Sequence, residues 1–147
     1  MRFRYVLIVK APIEKVSALH RDPAVLELLT PSFLGWNWEH REPVAEGSIT
    51  RFVIGRGPFR IRWTARHRAV SELGFTDEQL EGPFRRWVHT HRFEREGPQC
   101  TRIIEEIEAR WPSHPIRWIL ATAIWISLPL LFAYRARRIR KLLEVRA

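Results

Sequence analysis

Residues 75–93 read Phe75-Thr-Asp-Glu-Gln-Leu-Glu-Gly-Pro-Phe-Arg-Arg-Trp-Val-His-Thr-His-Arg-Phe93, and the second half of this stretch alternates between two kinds of side chain. One set, at every second position, is aromatic or imidazole: Trp87, His89, His91 and Phe93. Successive side chains of a strand point to opposite faces, so the pattern predicts a strand with this set inside and most arginines outside. Gly82-Pro83 predicts a turn just before it. Two imidazoles on an inner face indicate a cavity with polar groups inside.

The composition is that of a globular protein, and we predict a single domain over residues 1–147. Of the 147 residues, 46% are hydrophobic, which is ordinary for this class. The formal net charge is +9, and all but three of the 25 basic residues are arginines. These arginines are spread along the chain without a recognition motif, so we expect no binding to nucleic acid. A compositional bias and an anionic membrane surface both remain open as explanations.

Two further features of the sequence bear on its compartment. Cys100 is the single cysteine, which excludes an internal disulfide and fits a reducing compartment. The first ten residues contain an apolar run too short for a signal peptide, without a small-residue cleavage site. We therefore expect a cytoplasmic protein.

Hydrophobic periodicity predicts seven strands, two short helices after the first strand, and one long C-terminal helix. The strands are predicted at residues 2–10, 34–41, 48–55, 59–69, 73–77, 84–93 and 101–111. The helices are predicted to begin at Ala11-Pro12, at Asp22-Pro23 and near residue 114. A sheet that is apolar on one face must bury that face, and only the last helix is long enough to cover it. This predicts an α+β fold in which a curved antiparallel sheet grips one helix and leaves space for a ligand.

The run at 75–93 resembles the signature of a bacterial branch of the START/Bet v 1-like superfamily, often called SRPBCC. Four other segments match in the same order: Ala11–Val16, Leu29–Pro31, Thr101–Pro112 and Phe132–Arg135. The resemblance spans nearly the whole chain and implies a helix-grip fold with an apolar cavity. Members of the superfamily include polyketide cyclases, lipid carriers and coenzyme Q-binding proteins. Two departures imply a reshaped cavity: Glu105 where an aspartate is usual, and Ala109 where an aromatic residue is expected.

Glu105 is the only charged residue in the apolar stripe of the last predicted strand. A turn centred near residue 97 places His89 opposite Glu105, while a register shift of two changes the partners but not their shared face. A buried carboxylate needs a partner, so we predict that His89 or His91 pairs with Glu105. Two polar residues across the preceding turn could join them: Asp77 and Gln79.

Three interpretations of this polar cluster remain open. It could be a satisfied hydrogen-bond network that braces the sheet, the binding site for the polar end of an apolar ligand, or a catalytic site with a histidine as general acid or base. The catalytic candidates are His89, His91 and Glu105. The predicted ligand-binding residues are Asp77, Gln79, Trp87, His89, His91, Glu105, Trp63, His67, Trp36 and Trp38. Two histidines at this spacing are weak support for zinc, so we predict no metal and no cofactor.

Residues 118–134 form an uncharged run of 17 residues, followed by five basic residues up to Lys141. The length of this run is near the lower limit for a membrane-spanning helix. Removing the run would uncover the sheet, so we predict a buried grip helix that Pro129 bends or interrupts. The run is apolar all round, and its surplus face could contact a membrane, with the arginines on acidic headgroups, or form a homodimer.

These features together predict a protein that binds a hydrophobic small molecule between the sheet and the last helix. The ligand would be a lipid, a polyketide or an isoprenoid-like compound. Two alternatives stay open: a cyclase or dehydratase that uses a cavity histidine, and a membrane-associated module that uses residues 117–141.

Overall fold

Seven antiparallel strands form one sheet in the computed structural model, which describes residues 1–144. The strands are β1 (Arg2–Val9), β2 (Trp36–His40), β3 (Ile49–Ile54), β4 (Ile61–Ser71), β5 (Gly74–Glu81), β6 (Arg86–Gly97) and β7 (Cys100–Arg110). The helices are α1 (Ile13–Arg21), α2 (Ala24–Leu28) and α3 (Pro115–Leu143). Across the sheet the order is β1-β7-β6-β5-β4-β3-β2. The predicted helix-grip architecture is confirmed.

The strand ends lie up to four residues from the predicted ones, and the structure explains the differences at β5 and β2. β5 is longer than the short strand expected at 73–77, because its residues up to Glu81 pair with β4. β2 begins at Trp36 rather than at residue 34, because Ser32–Leu34 form a 3₁₀ turn. Gly35 then has a φ of 79°, a left-handed conformation that glycine adopts without steric cost. Both differences come from pairing and turn geometry that hydrophobic alternation does not encode.

The hairpin between β6 and β7 has a register two residues away from the predicted one. His91 lies opposite Glu105, and His89 lies opposite Ile107. The turn centres on residues 98–99 rather than 97, and the pairing is irregular between Arg95 and Gly97. The predicted cross-strand neighbours of His89 and His91 were therefore wrong. The predicted face was right, since a shift of two residues preserves the alternation of side chains.

The two short helices close one end of the sheet. α1 places Ile13 and Val16 in the core, and Pro12 precedes it in an extended conformation. The buried hydroxyl of Thr101 donates a hydrogen bond to the carbonyl of Ala11 at 2.8 Å, which ties the start of α1 to β7. This contact fixes α1 above the strands that carry the polar cluster.

The long helix α3 packs on the inner face of the sheet, as predicted. Its buried residues recur at helical spacing: Ala121, Leu128, Phe132, Ala136 and Ile139. Pro129 does not interrupt the helix, which is continuous from Pro115 to Leu143. By length and composition α3 is able to cross a membrane, and only 17% of its most apolar window is buried. Its outer face therefore carries exposed apolar side chains: Ile116, Ile119, Ile126 and Leu130.

Candidate functional site

A cavity of about 600 Å³ lies between the inner face of the sheet and α3. Its walls are largely apolar, and they include seven phenylalanine and tryptophan side chains. Trp36 stacks on Phe52 with 4.1 Å between ring centroids, and Trp63 meets Trp87 edge to face at 5.2 Å. The volume lies in the range of about 300–1,000 Å³ that is typical of small-molecule sites. The cavity can therefore hold a flat or elongated apolar molecule.

A smaller cavity of about 80 Å³ lies beside the first one. Its lining includes His20 of α1, His91 of β6 and Glu105 of β7. His67 and Asp77 contribute to the lining of both cavities, so polar side chains stand where the two spaces meet. A space of this volume suits water-sized molecules rather than a ligand of drug size.

A row of polar side chains crosses the inner face because β4, β5, β6 and β7 are neighbours in the sheet. Backbone pairing sets Asp77 beside both His67 and His89, and His91 beside Glu105. The side-chain contacts run from Thr50 Oγ1 to His67 Nε2 at 2.6 Å, His67 Nδ1 to Asp77 Oδ1, Asp77 Oδ2 to His91 Nε2 at 2.8 Å, His91 Nδ1 to Glu105 Oε2 at 2.9 Å, and Glu105 Oε2 to His89 Nε2 at 2.7 Å.

His91 is the positively charged member of this row. Burial alone lowers the pKa of its imidazole, but the charge of Glu105 and the hydrogen bond to Asp77 outweigh burial and raise that pKa to about 10. In the other direction, burial raises the pKa of both carboxyl groups. The charge of His91 is the main factor that holds the pKa of Glu105 well below its usual range. Hydrogen bonds from His67 and His91 likewise lower the pKa of Asp77.

His89 is the neutral member that faces the large cavity. Burial lowers the pKa of its imidazole, the charge of His91 lowers it further, and Glu105 opposes both without overcoming them. Nε2 donates to Glu105 at 2.7 Å, so the neutral ring carries its lone pair on Nδ1. The general expectation that a nearby carboxylate raises a histidine pKa thus holds for His91 and fails for His89. The difference arises because His91 is already the cation of the pair.

Among solved structures, several cover almost the whole chain at low identity. The Zhui aromatase/cyclase from Streptomyces sp. R1128 is 15% identical, has a TM-score of 0.68, and is matched over 98% of this chain and 96% of its own. Ginseng major latex-like protein 151 from Panax ginseng is 13% identical, with a TM-score of 0.69 and coverage of 99% and 98%. Norcoclaurine synthase from Thalictrum flavum is 18% identical, with a TM-score of 0.71 and coverage of 97% and 85%.

This chain has the Bet v 1-like helix-grip fold. No protein-family model and no curated protein matches the sequence. At these identities the similarity to the solved structures shows the fold and not the activity. The Bet v 1-like fold typically encloses a hydrophobic cavity, and norcoclaurine synthase has been solved in complex with dopamine and hydroxybenzaldehyde. The cavity described above lies between the sheet and the long helix of this fold.

Most of the predicted ligand-binding residues line one of the two cavities of this helix-grip fold: Trp36, Trp63, His67, Asp77, Trp87, His89, His91 and Glu105. Two of them do not. Gln79 binds the backbone of Phe84 instead, with its amide nitrogen donating to the carbonyl at 2.8 Å. Trp38 lies on the edge strand β2 and donates to Glu27 at 3.0 Å. The first residue braces the turn before β6, and the second ties β2 to α2.

Among the residues at the site that the sequence analysis did not predict are Thr50, His20 and Arg135. His20 Nδ1 donates to the carbonyl of Val16 at 2.8 Å, and burial lowers its pKa to about 4. His20 follows Val16 by four residues on the apolar face of α1, and this spacing was a usable signal. Arg135 lines both cavities from α3. In the sequence, Arg135 is the first charged residue after the uncharged run, and we interpreted it as part of the basic segment that follows.

The donor atoms of Asp77, His89 and His91 lie within 4.8 Å of one another, close enough to hold a metal ion. Nε2 of His89 and both ring nitrogens of His91 already face carboxylate oxygens at 2.7–2.9 Å. A cation bound to His91 would displace one of the two protons that its nitrogens direct at Asp77 and Glu105. We therefore keep the metal-free interpretation as a prediction.

Proposed function

We propose that this protein binds a hydrophobic small molecule, such as a lipid, a polyketide or an isoprenoid-like compound, in the cavity between the sheet and α3. The observation that carries the proposal is the aromatic wall around about 600 Å³. Burying apolar ligand surface there contributes about 25 cal/mol per Å² before the losses of association. The buried imidazoles of His67 and His89 would orient the polar end of the ligand, as in other largely apolar sites.

The test uses Nile red, an uncharged apolar dye whose fluorescence rises in dry surroundings. Ala65 is buried and lines the cavity, so Ala65→Trp fills space that the ligand needs. Ala133 is an exposed residue of α3 that does not line either cavity, so Ala133→Trp is the matched control. We expect saturable binding by the wild type and the control, and at least tenfold weaker binding by Ala65→Trp. Equal binding by all three folded proteins would overturn the proposal.

A second candidate function is acid–base catalysis of the cyclase or dehydratase type. The specific observation is the hydrogen bond from His89 Nε2 to Glu105, which fixes the tautomer and leaves Nδ1 of a neutral imidazole as the base. Such a base accepts a proton from the carbon next to a ligand carbonyl and returns it to a leaving hydroxyl group.

Proton exchange at the central carbon of benzoylacetone, an apolar diketone, tests this candidate by NMR in deuterium oxide. The catalytic hypothesis predicts faster exchange with the wild type than with His89→Asn. The rate should rise with pH through a pKa below the usual histidine value of about 6.5. Binding of benzoylacetone with exchange at the solvent rate would rule the candidate out.

A third candidate is contact with an anionic membrane through the outer face of α3. The observation behind it is the row of apolar side chains Ile116, Ile119, Ile126 and Leu130, each at least 65% exposed. Basic residues follow at the C-terminal end of the same helix: Arg137, Arg140 and Lys141. An apolar stripe next to basic residues suits the interface of an anionic bilayer.

Sedimentation with phosphatidylglycerol vesicles at low salt tests the membrane contact. Ile126→Glu and Leu130→Glu should abolish binding, while Leu73→Glu should leave it unchanged because Leu73 is exposed on a turn between strands. A wild type that stays in the supernatant would contradict the membrane contact. A dimer in native mass spectrometry that the same two variants dissociate would assign this face to a homodimer instead.

A further inference from the structure

Arg135 has an unusual position among the arginines of this protein. Its side chain is half-buried and lines both cavities, whereas the arginines of the outer sheet face are exposed. Nε donates to the carbonyl of Leu29 at 3.2 Å, and the guanidinium carbon lies 5.3 Å from the ring centroid of Phe132. Within residues 1–144 no carboxylate lies within ion-pair distance of Arg135. Four of its five N–H donors are therefore free to bind a ligand.

The acids of the polar row do not take up these donors. Asp77 and Glu105 both influence the guanidinium electrostatically, but their oxygens contact imidazoles. Burial lowers the pKa of the Arg135 guanidinium, which means that the cavity penalises its positive charge. An acceptor that enters with the ligand would remove this penalty.

We propose that Arg135 binds the polar end of the ligand and that this end is a carboxylate, so that the ligand is an amphipathic carboxylic acid. This inference rests on the proposed binding function. A planar guanidinium matches a carboxylate with two parallel hydrogen bonds. The apolar part of the acid then extends along the aromatic walls.

The charges around Arg135 favour a single negative charge on the ligand. The polar row carries the negative charges of two carboxylates, Asp77 and Glu105, and His91 contacts both of them. These negative charges repel a second anion, and Arg135 offsets only one unit. A phosphate monoester carries up to two charges near neutral pH, so it fits this site less well than a carboxylate.

The experiment compares cis-parinaric acid, a fluorescent fatty acid, with its methyl ester, which has the same chain without the charge. We expect the wild type to bind the acid about tenfold to a hundredfold more tightly than the ester, as for a charge-assisted bidentate pair. Arg135→Met keeps a long side chain over Phe132 and removes the charge. In this variant the affinity for the acid should fall to that for the ester.

Arg138→Met is the matched control. Arg138 Nε donates to the carbonyl of Leu28 at 3.2 Å, the same kind of tie to α2 at the same distance, but its side chain lines neither cavity. This variant should bind acid and ester like the wild type. Equal loss of acid binding in both variants would show that the tie between α2 and α3 matters rather than the charge in the cavity, and would overturn the inference.

The remaining outcomes separate this inference from the proposed function. An ester that binds the wild type as tightly as the acid overturns the carboxylate and leaves the hydrophobic site intact. Hexadecyl phosphate that displaces the probe better than palmitate overturns the choice of carboxylate over phosphate. Failure of the acid, the ester and Nile red alike would contradict the proposed function itself.

Discussion

Glu105 and Glu106 are neighbours in β7, but they lie on opposite faces of the sheet. Glu105 is 6% exposed and contacts His89 and His91 at 2.7 and 2.9 Å. The side chain of Glu106 is 45% exposed and pairs loosely with Arg4 at 3.5 Å and Arg92 at 3.9 Å. Water and salt screen the outer pair, whereas the inner pair sits in a medium of low polarity. Removing the negative charge should therefore reduce the free energy of unfolding far more at Glu105 than at Glu106.

The comparison extends to the two faces as a whole. The outer face repeats arginine–glutamate pairs across strands, such as Arg2 with Glu108 at 3.1 Å. Pairs of this kind contribute little each, and they account for arginines that are spread along the chain. The inner face uses few charges, all from the row around His91. The charged residues of the outer face therefore keep the protein soluble, whereas those of the inner face shape the candidate site.

The largest expected effect is that of Glu105→Gln. The substitution leaves the His91 imidazolium with one carboxylate instead of two, so unfolding in urea at pH 7 should show a loss of about 3–5 kcal/mol, as for a broken buried pair. Glu106→Gln is the matched control on the outer face, with an expected change within about 0.5 kcal/mol. Losses of equal size would remove the distinction between the two faces.

The next effect is a fall of stability in alkaline solution. The folded state raises the pKa of His91 to about 10, so the stabilisation is complete below the unfolded value of about 6.5 and disappears as the pH rises toward 10. The free energy of unfolding should fall by about 2–4 kcal/mol over this range. His91→Gln should flatten this part of the pH profile. A wild-type profile that is flat from pH 6.5 to 10 would show that His91 is not the cation.

A smaller effect is expected for His20, in the opposite direction. Burial lowers the pKa of His20 to about 4, so its contribution is present above the unfolded value of about 6.5 and is lost as the pH falls toward 4. NMR titration should show a ring that stays neutral at pH 5. His20→Phe keeps the packing on Phe93 and should reduce acid sensitivity by about 1 kcal/mol between pH 6.5 and 4.5. A titration midpoint near 6.5 would show that the His20 ring is accessible to water and would contradict its burial.

The smallest effect is the response to salt. Raising sodium chloride from about 0.05 to 0.5 M shortens the screening length to a few ångströms, which weakens exposed pairs and leaves buried ones almost unchanged. The effect of Glu105→Gln should therefore be the same at both concentrations, while any effect of Glu106→Gln should vanish at the higher one. Salt sensitivity in the Glu105 variant would indicate that water reaches the inner row.

Much of this contrast could be predicted from the alternation of residues 86–93 alone. Strand parity assigned His89 and His91 to the inner face, and the need of Glu105 for a partner predicted a contact with one of them, whereas the structure shows contacts with both. The exact register could not be predicted, because it depends on the turn at residues 98–99 and the irregularity before it. A register shift of two residues leaves each side chain on the same face of the sheet but changes the residue that lies opposite it.

The residues that sequence analysis placed wrongly or omitted depend on packing between distant segments. Gln79 has the right parity, but the nearby backbone of Phe84 takes up its amide. His20 and Arg135 reach the site from α1 and α3, whose orientation is set by the sheet beneath them. The exposure of α3 was underestimated because only one stripe of the helix packs on the sheet, while its other apolar residues stay exposed.

Native mass spectrometry of the protein isolated from its own cells tests the central claim most directly. The account predicts a co-purifying apolar molecule at one copy per chain, present in the wild type and in Ala133→Trp and lost in Ala65→Trp. A wild-type protein that carries no such molecule and also fails to bind Nile red would contradict the claim that the space between the sheet and α3 is a binding site.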